Sequence, residues 1–554
     1  MKIRSILFLT GILSLTSSLM AYQWPLTPFN TQQPINSTLG EYRDTTVTNC
    51  PGPCPHFHDG VDIVGAQGTA VYAVLSGTIP ARVGITSNLV WIKTASSNFL
   101  YIHISPDSIL ENKWANSPNG LFVTAGTLLG TINFSPPHLH FKETDLAGNV
   151  LNSLRTGALT PYSDTASPQV LSVQLLNANA PAGSSPIGPA IGANVSALDV
   201  RALAHDLQSL GSQNVGVYQI GYQVSDLDTG QTSSNFPEQT YLTIPSGLIL
   251  SPGDAYDTTI SEGGYNGTYQ FYYFASDPVN AQTPLNISSL AEGHYQICVL
   301  AKDIKGNQNA IVNNPSACAS MIIDRTPPGL TVFDASGLQI ATGTYTKTPS
   351  ISVEVDDALS GPGGVAVYDN GVFIASTPAS FPPPSYTYTS TDLQVLGNIP
   401  EGNIQIIAYD QAGNSTATNF IVDHTPPVSV VLNPKDGSSM PATAIPGFVI
   451  SGTAFDPSSG GVQSGIDHVN LYIQLPGGWW NGSATVGQRT AVTAQGTENW
   501  SYTMTSGVPP GGPFNVASEA VDKAGNVLVD PSPLWGEGED EGTMLFTGRD
   551  RVRI

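Results

Sequence analysis

From about residue 165 onward, apolar and polar positions alternate in short runs broken by turn residues. That period of two predicts half-buried β-strands rather than helices. Three stretches repeat one grammar. Gly293-His294-Tyr295-Gln296-Ile297 leads to Asp303-Ile304-Lys305-Gly306-Asn307, Gly402-Asn403-Ile404-Gln405-Ile406 to Asp410-Gln411-Ala412-Gly413-Asn414, and Pro513-Phe514-Asn515-Val516 to Asp522-Lys523-Ala524-Gly525-Asn526. Each reads as a strand closed by an Asp-x-x-Gly-Asn turn, whose Gly and Asn are expected to take positive φ. The recurrence of the turn at Asn307, Asn414 and Asn526 has the spacing of one β-sandwich of roughly 100 residues. Paired prolines at Pro327-Pro328 and Pro426-Pro427 cannot join a central strand and so mark stiff boundaries. Asp369-Asn370-Gly371 reads as a tight hairpin turn.

These units resemble the immunoglobulin-like modules common in bacterial surface and secreted proteins. The expected architecture is all-β: an N-terminal antiparallel β-sheet domain at 22–162, then about three sandwiches at 165–325, 326–424 and 425–554. The first is long and is expected to carry an insertion around 229–290. Proline-bounded ends imply that the sandwiches fold without the N-terminal domain, serving reach or targeting. Their Asp residues read as solvated turn positions, with calcium ligation the less favoured alternative. Trp479-Trp480 reads as a packed loop anchor, and Glu537-Gly538-Glu539-Asp540-Glu541 as a solvated loop.

Residues 55–145 follow the same period with different chemistry. His138-Leu139-His140-Phe141 alternates, placing both histidines on one face, and Tyr101-Ile102-His103-Ile104 should place Tyr101 and His103 together. Around His58-Asp59-Gly60-Val61-Asp62, Gly and β-branched residues favour a strand on which His58, Gly60 and Asp62 share a face. Gly60 would then leave room for an ion between two ligands.

Of nine histidines, five (His56, His58, His103, His138 and His140) lie within the first 140 residues. Two histidines and an aspartate can hold zinc with a fourth position open for water, the layout of a hydrolytic site. The helical His-Glu-x-x-His motif is missing, so the proton-handling group must be something other than its glutamate.

Composition narrows the field. Gly (56) and Pro (43) are abundant and charged residues are 11%, which suits turn-rich β domains. A formal net charge of −23 provides no basic footprint for nucleic acid. Residues 1–21 read as an export signal: Lys2 and Arg4, then an apolar Ile6-to-Leu15 stretch, then small residues up to Ala21. The protein is therefore expected to be exported to periplasm, cell surface or medium. Four cysteines in such a compartment suggest two bridges, Cys50 with Cys54 and Cys298 with Cys318. A structural zinc site of Cys50, Cys54, His56 and His58 is the competing use of the first pair.

His58-x-Gly60-x-Asp62-Ile63, Gly68-Thr69-Ala70-Val71-x-Ala73 and Ser76-Gly77-Thr78-Ile79 occur in order before Tyr101-x-His103, Gly126-Thr127-Leu128-Leu129-Gly130 and Pro137-His138-Leu139-His140-Phe141. Together they resemble the lysostaphin-type zinc metalloendopeptidases over residues 40–145. The resemblance implies His58, Asp62 and His140 as ligands of Zn2+. It implies His103 and His138 as the catalytic pair, and peptide bonds of peptidoglycan as substrate. Asn133-Phe134-Ser135-Pro136-Pro137 replaces the family's Gly/Thr/Ser-rich turn, and His56 is a stand-in ligand on the His58 face. The alternative class is a surface adhesin or scaffold, with a cell-surface partner for the sandwiches and a non-catalytic wall-binding zinc module.

Overall fold

The computed structural model describes residues 21–44, 54–210, 213–263, 269–377, 394–397, 399–435, 437, 447–504, 513–528 and 549–553. Residues 1–20, expected to form an export signal, Cys50 and the acidic run 537–541 lie outside these. The chain is all-β, as its alternation requires. It divides into two compact units, residues 1–323 and 324–554.

In the first unit an antiparallel sheet runs in the order Ile35–Ser37, Val61–Val64, His138–Asp145, Ser97–Ile102, Leu89–Lys93, Gly77–Ile79, Leu121–Val123. A three-stranded sheet of Ile104–Pro106, Leu128–Ile132 and Ala70–Tyr72 packs beside it. Their shared core holds Trp24, Val71, Phe99, Tyr101, Leu139 and Phe141. The helix Ser108–Ala115 starts where Asp107 accepts from the backbone N–H groups of Ile109 and Leu110, satisfying two of its free donors. Among the described residues no helix is long and apolar enough to cross a membrane.

The first sandwich pairs Gln169–Asn177 with Ala197–Leu207 in one sheet. The other sheet runs Ala190–Ile191, Cys318–Ile323, Gly293–Lys302, Gln219–Asp226, Thr232–Thr240. Cys298 and Cys318 face each other across adjacent antiparallel strands and form a disulfide. A crosslink over a separation of 20 residues adds ~3 kcal/mol by restricting the unfolded chain.

The long segment after residue 229 settles on the N-terminal domain. Its Tyr241, Ile244, Tyr256 and Phe271 share one core with Leu39, Tyr42, Phe57 and Val150. Thr243–Ile244 also extends the N-terminal sheet by pairing with Val150–Leu151. The expected independence of the sandwiches therefore does not hold for the first. Alternation identifies strands, but says nothing of which domain an insertion's aromatic residues cover.

The second unit holds two sandwiches. In one, Gly329–Asp334, Ser350–Asp356 and Gln394–Gly397 form one sheet, and Tyr345–Thr346, Ser415–Val422, Gly402–Asp410, Pro362–Asp369 and Val372–Thr377 the other. Ile404, Ile406 and Ala408 point inward from Gly402–Asp410, as the alternation predicts. Asn370 (φ 47°) and Gly371 (φ 80°) make the two-residue hairpin turn. The other sandwich pairs Val428–Asn433, Val449–Phe455 and Asn499–Thr503 against a sheet centred on Ile466–Leu475 and Pro513–Asp522. Trp480 is wholly buried there, a packing anchor on the strand Gly478–Trp480.

Candidate metal centre

Two strands and a loop deliver the candidate ligands. His140 stands opposite Asp62 on the neighbouring strand, and opposite Ile102 on the other side. His58 precedes the strand Val61–Val64, which begins later than expected, so His58 is held by its loop and not by a ladder. At Gly60 a Cβ would lie 2.7 Å from His140 Nε2, so the ring of that histidine needs glycine there.

The three expected ligands converge. His58 Nε2 lies 3.0 Å from His140 Nδ1 and 3.2 Å from Asp62 Oδ1, and His140 Nδ1 lies 3.0 Å from the same oxygen. These separations are close to the ~3.3 Å edge of a tetrahedron whose ligand bonds are ~2.0 Å long. Two imidazole nitrogens and one carboxylate oxygen suit zinc, so the residues fit the ion that the motif implies.

The other nitrogen of each histidine is occupied. His58 Nδ1 donates to the Thr38 carbonyl at 2.8 Å, with Ser37 Oγ also 2.8 Å away. His140 Nε2 faces Asp59 Oδ1 at 3.2 Å, and Lys142 pairs with the same carboxylate. Such partners select the tautomer that turns a lone pair to a metal. Asp59, Ser37 and Thr38 are thus site residues that motif reasoning missed, although Asp59 stood inside the first motif.

Burial disfavours a charge on Asp62. The charge and hydrogen bonds of His58 and His140 outweigh that effect and hold its carboxyl well below the usual range. Burial likewise opposes protonation of His140, but hydrogen bonds to Asp59 and Asp62 lift it to about 9. Arg43 approaches Asp62 Oδ2 at 3.9 Å and pairs with the buried Glu41 at 2.9 Å.

The two remaining histidines flank this triangle. The ring of His138 sits 4.8 Å from that of His103, and His103 lies 5.9 Å from His140. His138 Nδ1 must donate to the Pro136 carbonyl at 2.8 Å, which leaves Nε2 as the acceptor, 3.6 Å from Asp62 Oδ1. His103 reaches the site by an unexpected route. Alternation should place it with Tyr101, whose buried hydroxyl instead accepts from Val74 N–H in the core. A positive φ of 68° at His103 breaks the alternation and turns its ring to the histidine face. Phe134 stacks on that ring at 3.7 Å. Burial, then the charges of His140 and His138, push His103 down to about 3, so the imidazole is neutral at physiological pH.

His56 is not among the residues that converge. Its Nδ1 bonds the Cys54 carbonyl at 2.8 Å, and it stands outside the triangle. His58 lies in that triangle, and Cys50 of the competing four-ligand site lies outside the described residues.

The first sandwich reaches this centre through residues 40–42. Tyr256 donates to the Gly40 carbonyl at 2.8 Å, and Glu41 Oε1 accepts from Gly216 N–H at 2.9 Å. His58 N–H in turn donates to the Glu41 carbonyl at 2.7 Å, and Gly40 N–H to that of His58 at 2.9 Å. Gly40 has a positive φ of 90°, and any Cβ would strike the Tyr241 ring, 2.1 Å away.

No known family profile matches the chain, and no curated protein does. Among solved structures, Csd3 of Helicobacter pylori aligns with 22% identity over 26% of this chain, with a TM-score of 0.18. This chain spans 36% of that Csd3 chain. A tetra-tandem repeat from the extending region of a large adhesion protein aligns at 15% identity, covering 86% of this chain and 92% of its own, TM-score 0.21. Three Ig domains of titin align at 8% identity, covering 70% and 98%, TM-score 0.25.

Proposed function

We propose that the protein is an exported zinc-dependent endopeptidase that hydrolyses peptide bonds of peptidoglycan bridges or stems, and that its sandwiches space or target the enzyme. The observation that carries this reading is the triangle of His58, Asp62 and His140, with donor atoms 3.0–3.2 Å apart and two further histidines against it. Zinc, when bound, supplies Lewis-acid polarisation of a water and of the scissile carbonyl.

The chain's own residues account for the proton movements. His138 holds its Nδ1 proton on Pro136 and keeps Nε2 free of a proton on the triangle side, placed to accept the proton of the attacking water. His103, neutral and fixed by Phe134, offers an N–H to the developing oxyanion without a net charge of its own. The peptidoglycan substrate rests on the motif resemblance, and the export reading on the N-terminal signal.

The test is release of new amino termini from purified peptidoglycan, measured beside zinc content. Wild type should show both about one zinc per chain and hydrolysis. A zinc-loaded wild type inert on peptidoglycan of several bridge types would instead favour a wall-binding scaffold.

A further inference from the structure

We propose that each sandwich carries a calcium site at its entry, built by Asp164, Asp206 and Asp303, by Asp324, Asp357 and Asp410, and by Asp423, Asp456 and Asp522. In each trio, one oxygen from every carboxylate lies within 4.8 Å of the other two. The members occupy equivalent places. The first sits where the chain enters the sandwich. The second closes or follows the strand Ala197–Leu207, Ser350–Asp356 or Val449–Phe455. The third ends the strand before the Gly-Asn turn or, as Asp303 does, directly follows it.

That turn has a purpose in this arrangement. Gly306, Gly413 and Gly525 take positive φ, whereas the following Asn residues do not. Their side chains reach back instead, from Asn307 to the Asp164 carbonyl at 3.0 Å, Asn414 to Asp324 at 2.9 Å and Asn526 to Asp423 at 2.7 Å. Each Asn thus draws the entry Asp against the turn Asp.

Such trios need a counter-charge. Among the described residues none of the nine carboxylates forms an ion pair with lysine or arginine. Two oxygens are left without any hydrogen-bond donor, Asp164 Oδ2 and Asp456 Oδ1, in side chains only 7% and 8% exposed. A buried carboxylate oxygen with no partner costs free energy unless something positive meets it. Burial and the charges of Asp164 and Asp303 already push Asp206 up to about 8, and Asp410 and Asp456 are raised too. The donors are all oxygen, with neither imidazole nor thiolate, which selects a hard cation over zinc. Irregular loop oxygens accommodate the variable coordination of calcium better than the strict octahedron of magnesium.

The experiment uses the full chain, dialysed free of calcium with zinc kept in the buffer, and titrates CaCl2 alone. Equilibrium dialysis should find about three calcium ions per chain, with dissociation constants of ~10⁻⁴–10⁻³ M, the range of extracellular modules. Asp206→Asn, Asp410→Asn and Asp522→Asn should each remove about one ion, and His140→Ala none. Wild-type thermal unfolding provides a reading independent of variant folding: CaCl2 should raise Tm by several degrees. No calcium bound at ~10 mM, ~100 times the tighter constant, overturns the proposal. So does a stoichiometry untouched by all three substitutions, or a wild-type Tm indifferent to CaCl2, which would mean that shared protons neutralise the trios.

Discussion

His103 shows why residue-level geometry escapes a period-of-two rule. Its positive φ lifts it out of the alternation that its neighbour Tyr101 obeys, at a cost of ~1–3 kcal/mol that the surrounding packing must offset. Such strain concentrates at functional sites, and Phe134 is the group that holds the ring once it is turned. His103→Ala and His138→Ala should therefore keep zinc while losing ~10²–10⁴ in peptide hydrolysis, the span for one proton-handling group. Near-normal turnover by both would remove them from the mechanism. Asp62→Ala and His140→Ala should instead lose the metal itself, as elemental analysis would report. Asp59→Asn removes the charge that His140 Nε2 leans on, and should weaken zinc binding ~10–100-fold without unfolding the chain. The residues that converge in the triangle were legible because their spacing is a motif. Asp59, Ser37 and Thr38 were not, because second partners of a ligand depend on tautomer and on loop contacts distant in sequence.

At the scale of elements, the sandwich strands were plain from alternation and the Asp-x-x-Gly-Asn turns from repetition. The use of the Asn was misjudged, since its backbone is ordinary and its amide does the bridging. Turn composition suggests solvated Asp, yet Asp206, Asp303, Asp410 and Asp522 are buried. Only the fold brings the third, sequence-distant carboxylate to each pair. A pH consequence follows for the first trio. Burial, then the charges of Asp164 and Asp303, make folded Asp206 hold its proton up to about pH 8, while the unfolded chain releases it near ~4. At this group the folded protein thus binds more protons across that window, so its contribution to stability is full below ~4 and is lost as pH rises through about 8. In calcium-free buffer the Tm advantage of wild type over Asp206→Asn should fall between those limits, which separates Asp206 from His103 and the other histidines whose lowered values act in the opposite sense, and millimolar CaCl2 should flatten that fall. A calcium-free advantage that rises over the window would contradict the raised carboxyl.

For the whole molecule, the first proline pair does mark the division between the two compact units, and what no proline announces is that the first sandwich joins the N-terminal domain. The first sandwich and the N-terminal domain share a core in which Tyr42 and Phe57 meet Tyr256 at 5.7 and 6.0 Å between ring centroids. Each such aromatic contributes ~1.5–3 kcal/mol by burial, so exposing both removes much of a typical domain's margin of ~5–15 kcal/mol. The same contact holds the 40–42 segment that fixes His58, and so reaches the metal centre. A fragment of residues 22–162 should accordingly bind zinc poorly and aggregate, whereas 22–323 should fold, carry about one zinc and hydrolyse soluble wall peptides. Residues 324–554, with cores of their own, should fold without either. Tyr256→Ala in the full chain isolates the coupling, because it lies in the sandwich and outside the ligand set. It should lower zinc affinity as well as Tm, and Tyr256→Phe, which keeps the ring and loses only the hydrogen bond to Gly40, should recover most of the stability. Full zinc affinity in both variants, or a stable zinc-loaded 22–162 fragment, would show that the N-terminal domain builds its centre unaided.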